Sequence, residues 1–251
     1  MPKTRLDILL VSRGLAPSRE KAQAMILAGL VEVDGRRVDK AGTAVDVDAP
    51  VRVSGPPHPY VSRGGVKLAA ALDAFSIDPS GLVCLDVGAS TGGFTDCLIQ
   101  RGARKVYAVD VGSGQLDAKL RNDARVVVLE GINARRIGTE QVPEPVELAT
   151  MDLSFISLRL VLPAVLNLLA PNATLIVLVK PQFEAGREEV PRGGIVRSEK
   201  VHRRVVEEIG RFGAELSLRP EGEIPSPILG ARGNREFLLV FRAPGAVNST
   251  A

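Results

Sequence analysis

The stretch Leu82-Val83-Cys84-Leu85-Asp86-Val87-Gly88-Ala89-Ser90-Thr91-Gly92-Gly93-Phe94-Thr95-Asp96 decides how this chain folds. An almost unbroken apolar run ends at Val87, a glycine-rich turn follows, and a helix opens near Phe94. A strand that is apolar on both faces has to be covered on both faces, so the pattern predicts an inner strand of a parallel sheet between two helical layers. Strand-like runs recur at Lys105 to Val111, Val126 to Glu130, Glu147 to Ser154 and Thr174 to Pro181, with helical stretches between them. That alternation predicts a doubly wound α/β sheet. A long helix near Glu199 to Phe212 and a strand at Arg235 to Arg242 follow, the strand expected as an antiparallel addition at the sheet edge.

Upstream the pattern changes. Leu6, Leu9 and Leu10 recur at helical spacing with Gly14 as the stop, and Ser18 is placed to cap a second helix whose inner stripe is Ala22, Met25 and Ile26 and whose stop is Gly29. Leu30 to Val33, the turn Asp34-Gly35 and Arg36 to Val38 read as a hairpin. Val51 to Val53 adds a strand, and Ser54-Gly55-Pro56-Pro57 disfavours helix and sheet alike. The expected division is therefore residues 1–59, a small α+β domain with its linker, and residues 60–251, the doubly wound domain. A tail of Gly, Ala, Asn, Ser and Thr after Pro244 carries no pattern.

Composition narrows the class. With 45% apolar residues in 251, disorder is excluded as the main state, and a net charge of +3 is too small to name a partner. The first ten residues contain no long apolar run, and the run Leu175 to Val179 is far short of the roughly 18 residues a membrane helix needs. A soluble cytoplasmic protein without a membrane partner is expected. Cys84 and Cys97 each sit in apolar surroundings and read as buried structural thiols; no metal site is expected.

The turn after Val87 also carries chemistry. Glycines there let a ligand approach the backbone, and Asp110 stands 22 residues after Gly88, near the spacing at which a carboxylate meets ribose hydroxyls in dinucleotide folds. The spacing Gly88-x-x-x-Gly92-Gly93 departs from Gly-x-Gly-x-x-Gly, which favours S-adenosylmethionine, a ligand without a pyrophosphate, over a dinucleotide and leaves both open. The candidate cofactor contacts are Asp86, Gly88, Ser90, Gly92, Gly93, Asp110 and Val111. In residues 1–40, eight basic residues face five acidic ones. Arg5 and Arg19 fall near the starts of the two helices, where phosphates are favoured, and Lys40 lies beyond the hairpin.

Two resemblances extend this reading. Arg5-Leu6-Asp7, Gly14-Leu15, Ser18-Arg19, Ala22, Ile26, Gly29 and Val31-Glu32-Val33-Asp34-Gly35 resemble the RNA-binding S-four domain, named after a small-subunit ribosomal protein. Tyr60 to Leu68, Asp86 to Asp96, Asp110-Val111-Gly112-x-Gly114-Gln115-Leu116, Asp152-Leu153-Ser154-Phe155, Lys180 to Glu184 and Gly193 to Arg197 resemble the TlyA family of ribosomal RNA ribose methyltransferases, whose catalytic domain is FtsJ-like. Ser113 and Ala118 depart from that family, standing where aromatic residues are expected.

The resemblance implies a class I methyltransferase sheet, S-adenosylmethionine as cofactor and methyl transfer to a ribose 2′-hydroxyl, on a cytidine of ribosomal RNA in one or both subunits. It implies no obligate protein partner. It also carries over a Lys-Asp-Lys-Glu tetrad, here Lys67, Asp152, Lys180 and Glu236. Asp152 and Lys180 fall independently at the C-terminal ends of predicted parallel strands, where such sheets bind ligands. Burial, a second ammonium and a cationic cofactor all disfavour a protonated amine, so Lys180 is assigned as base, oriented by Lys67 and Asp152, with Glu236 balancing charge. Arg63 and Arg135 are expected RNA contacts in the second domain. Two other classes remain open: a membrane-active haemolysin, a label proteins resembling this family have carried, and a non-enzymatic RNA-binding ribosome assembly factor.

Overall fold

The computed structural model describes residues 2–16, 18–27, 29–53, 58–230 and 233–245. The Ser54-Gly55-Pro56-Pro57 connection and residues 246–251 of the tail lie outside the described residues. The chain divides into two compact units, Met1–Pro59 and Tyr60–Ala251.

In the first unit the order is β1 (Lys3–Arg5), α1 (Leu6–Ser12), α2 (Arg19–Leu27), β2 (Val31–Val33), β3 (Arg36–Arg37), β4 (Ala44–Asp46) and β5 (Val51–Val53). Gly14 lets the chain leave α1 at a φ of 68°. The Ser18 hydroxyl accepts the backbone N–H of Lys21 at 3.2 Å and so caps α2. Asp34 and Gly35 both take positive φ, 52° and 74°, the backbone that joins β2 to β3 in a tight hairpin. β5 pairs with the other side of β2, and β1 pairs with β4, a two-stranded ribbon the sequence pattern did not predict. Leu6, Leu9, Leu10, Ala22, Ile26 and Val31 form the core, while Met25 packs at its margin.

The second unit runs α3 (Gly64–Ala74), β6 (Val83–Val87), α4 (Gly93–Gln100), β7 (Lys105–Val109), α5 (Ala118–Arg121), β8 (Val126–Leu129), β9 (Val146–Met151), α6 (Leu162–Leu166), β10 (Leu169–Val179), α7 (Pro181–Glu184), α8 (Glu199–Glu215), β11 (Arg219–Pro225) and β12 (Phe237–Arg242). The seven strands lie in the order β11-β12-β10-β9-β6-β7-β8. β8, β7, β6, β9 and β10 are parallel, and β12 is antiparallel to both of its neighbours. β12 is therefore an inner strand. The edge belongs to β11, where Pro220 and Pro225 are tolerated because an edge strand leaves one side of its backbone unpaired.

β6 is buried along its whole length, as its apolar run requires. Val83, Leu85 and Val87 pack towards α6 and α8, while Cys84 packs towards α3 and α4. Burying one such side chain contributes about 1.5–3 kcal/mol, so the central strand anchors both layers. With β7 on one side and β9 on the other, β6 is where the strand order reverses, and ligands bind beyond the C-terminal ends of strands at that position. Among the described residues no helix is long and apolar enough to cross a membrane.

Candidate active site

The turn after β6 is built on Gly88, at a φ of 89°. A Cβ there would overlap the Asp152 carbonyl oxygen, so glycine is required by the close approach of the loops after β6 and β9. Gly92 meets a different need: a Cβ would run into Leu116 and Leu120, and the residue lines neither cleft described below. Gly64 and Gly65 are the first residues of α3, and Gly65 packs against the Tyr60 ring.

Asp110 follows β7 with a half-buried carboxylate. Its Oδ2 accepts the Ser90 N–H at 2.8 Å and its Oδ1 accepts the Gly112 N–H at 2.7 Å. Each carboxylate oxygen keeps a further acceptor site, so Asp110 can brace the turn and still receive a ligand hydroxyl. It opens into a cleft of about 550 Å³ that Gly88, Val111, Ile132, Asn133 and Arg135 also line. Ser113 and Ala118 do not line it.

Asp86 is placed differently from the other candidate cofactor contacts. Its side chain is fully buried, with Oδ2 accepting the Thr95 N–H at 2.9 Å and the Thr95 hydroxyl at 2.7 Å, and Oδ1 accepting the Thr150 hydroxyl at 3.1 Å. Burial pushes its carboxyl up to about 7, and the neighbouring Asp152 charge adds to this against the Thr95 and Thr150 donors. Asp86 lines neither cleft and ties the start of α4 to β6 and β9.

A second cleft, of about 310 Å³, adjoins the first through Gly88, Ser90, Asp152 and Ser154. Lys67 from α3, Asp152 after β9 and Lys180 after β10 all line it, together with Ser62, Arg63 and Gly93. Lys180 Nζ stands 2.6 Å from Asp152 Oδ1 and donates to Ser154 Oγ at 2.9 Å. Lys67 Nζ donates to Glu236 Oε2 at 2.5 Å. Both lysines are 8% exposed, and Glu236 lies behind Lys67 at 3%. Two lysine–carboxylate pairs thus meet at one cleft, Lys180 with Asp152 and Lys67 with Glu236.

The surroundings fix these pairs. A Cβ on Gly230 would overlap Glu236 Oε1, so that glycine makes room for the carboxylate. Asn234 donates to the Gly194 carbonyl at 2.9 Å and accepts the Val196 N–H at 3.0 Å, tying residues 194–196 to the segment that carries Glu236. Glu184 on α7 accepts the Ser157 hydroxyl at 2.6 Å and the Leu158 N–H at 2.7 Å, joining the loops after β9 and β10. Ser154, Ser62, Gly230 and Asn234 had no assigned role in the sequence reading. Ser62 and Ser154 fall in segments whose pattern marked them, Tyr60 to Leu68 and Asp152 to Phe155, whereas Gly230 and Asn234 fall in none.

Beside the site Phe155 is 90% exposed at a φ of 64°, with its ring 5.1 Å from that of Phe183. The two line a further cavity with Arg135 and Gln182. Arg63 is exposed at the mouth of the smaller cleft and donates to the Leu229 carbonyl. In the first unit Arg5 and Arg19 both bond to Asp7, and Lys40 is exposed in the loop after β3. The Cys84 and Cys97 thiols are pushed by burial up to about 12 and about 11, values that keep them unreactive.

Comparison with known proteins gives a consistent result. A family model described as FtsJ-like methyltransferase matches residues 60–243, and one described as S4 domain matches residues 4–51. "Putative rRNA methyltransferase YqxC" of Bacillus subtilis is 51% identical over 247 residues, 97% of this chain and 87% of that protein. The 16S/23S rRNA (cytidine-2'-O)-methyltransferase TlyA of Mycobacterium tuberculosis is 47% identical over 241 residues, 96% of this chain and 90% of its own. A solved structure of a protein described as "Putative hemolysin from Streptococcus thermophilus" superposes with a TM-score of 0.76 at 42% identity, covering 99% of this chain and 93% of the other.

Proposed function

The chain belongs to the FtsJ-like methyltransferase family and carries an S4 domain, and on that premise we propose that it transfers a methyl group from S-adenosylmethionine to a cytidine ribose 2′-hydroxyl of ribosomal RNA. The observation that carries this reading is the meeting of Lys180–Asp152 and Lys67–Glu236 at a cleft continuous with the one Asp110 lines. The donor set fits the cofactor: the Asp110 carboxylate suits a ribose diol, Val111, Ile132 and Ala134 give apolar walls for a base, and the turn at Gly88 and Ser90 borders both clefts. When bound, S-adenosylmethionine supplies a methyl group activated on a sulfonium.

The chain's own residues then have separable tasks. Lys180 Nζ, held between Asp152 Oδ1 and Ser154 Oγ, is the group positioned to take the hydroxyl proton, and the neutral amine is the form that can accept it. Asp152 orients that amine. Lys67, fixed by Glu236, presents an ammonium from α3 to the same cleft, where it can donate to the ribose. The exposed Phe155 ring offers a face for an unstacked base at the rim, and Arg63 and Arg135 stand where phosphates of the same strand would pass. RNA affinity comes largely from the first unit through Arg5, Arg19 and Lys40.

The test is incubation of the protein with methyl-labelled cofactor and ribosomal subunits from a strain that lacks the activity, followed by mapping of 2′-O-methyl sites. Label on one or a few cytidines supports the proposal. Cofactor binding without transfer to any ribosomal RNA would replace it with a non-enzymatic assembly role.

A further inference from the structure

We propose that Asp7 is a positioning residue for RNA binding: its buried carboxylate holds the guanidiniums of Arg5 and Arg19 side by side, so that they meet phosphate as one preformed unit. Asp7 is 0% exposed, whereas the Arg5 and Arg19 side chains are 47% and 55% exposed. Arg5 engages it in a fork, Nε to Oδ1 at 3.0 Å and Nη2 to Oδ2 at 2.9 Å. Arg19 Nε donates to the same Oδ2 at 3.0 Å, Gln23 Nε2 to Oδ2 at 2.8 Å, and the Ile8 N–H to Oδ1 at 3.1 Å.

Two exposed guanidiniums brought to one point repel each other, and each loses rotamer freedom when it binds a phosphate. A carboxylate between them cancels the repulsion and fixes both before RNA arrives. It grips Arg19 through Nε, leaving that residue's two terminal nitrogens for phosphate, while Arg5 keeps Nη1 and the second proton of Nη2. The cluster still carries a net positive charge.

This rests on the reading that the first unit binds RNA, and it reverses what charge counting predicts. Asp7→Asn makes the protein more basic, which by long-range attraction alone tightens RNA binding. Positioning predicts that the full-length Asp7→Asn protein binds a transcribed ribosomal RNA fragment about tenfold more weakly, the combined effect of freeing two long side chains. Arg5→Ala/Arg19→Ala should weaken binding and lower the salt slope by about 1 per lost phosphate contact. In that arginine-free background Asp7→Asn should have almost no effect on affinity. Binding by Asp7→Asn as tight as wild type overturns the proposal, and so does an equal loss in both backgrounds, the mark of a purely structural role. If Arg5→Ala/Arg19→Ala binds like wild type, the RNA contact assigned to these arginines is wrong, and the positioning proposal falls with it.

Discussion

Lys67 and Glu236 stand 169 residues apart in the chain and 2.5 Å apart in space, an ion pair buried between α3 and the start of β12. Removing one partner of such a pair strands a charge away from water and costs about 3–5 kcal/mol, whereas replacing both with apolar groups of similar volume is often neutral. Glu236→Gln should therefore lower the melting temperature and cut methyl transfer. Lys67→Met/Glu236→Leu should recover the melting temperature and stay inactive. Thermal melts beside single-turnover rates separate the two effects, and an active double variant would remove the pair from the chemistry.

Asp110→Ala should weaken S-adenosylmethionine binding by roughly tenfold to a hundredfold, the range set by hydrogen bonds to a charged acceptor. Part of that loss comes from the turn, because the Ser90 and Gly112 N–H groups lose their acceptor together. Titration calorimetry with NAD as the control measures it. Unchanged affinity would take Asp110 out of the cofactor site.

Asp86 predicts a pH dependence. Its carboxyl is raised from 3.8 to about 7 by burial, so between those values the folded chain keeps a proton that the unfolded chain has released. The contribution to stability is full below the unfolded value and is lost as pH rises towards about 7. Asn in its place can accept from Thr95 and donate to Thr150 without titrating. Relative to Asp86→Asn, the wild-type melting temperature should fall across that window, and parallel curves for the two proteins would contradict the assignment.

A chain of residues 60–251 contains the sheet, both clefts and all four tetrad residues. It should bind cofactor like the whole protein and methylate ribosomal RNA poorly. Equal methylation by the fragment would show that the first unit is dispensable for substrate capture.

The parallel strands were legible because burial on both faces forces unbroken apolar runs such as Val83–Val87, and strand ends then located Asp152 and Lys180. β11 was not legible. Its seven residues include Pro220, Gly222 and Pro225 and are mostly exposed, as an edge strand with a bulge permits. β1 and β4 are three residues each, too short for alternation to register. Asp86, beside the glycine-rich turn, reads as a candidate cofactor contact, yet in β6 alternate side chains face opposite layers, and its carboxylate points towards Thr95 on α4. Nor could spacing show that Lys67 pairs with Glu236 while Lys180 pairs with Asp152, because those partners are chosen by how the strand ends and α3 converge.

The most direct test is the single-turnover rate of Lys180→Arg at saturating cofactor. Arginine keeps a cation beside Asp152 but cannot take a proton near neutral pH. If Lys180 is the base, methyl transfer falls by roughly 10²-fold or more while cofactor affinity stays close to wild type, and Lys180→Ala falls by at least as much. A near wild-type rate for the arginine variant would contradict the account and leave Lys67 as the group that receives the proton.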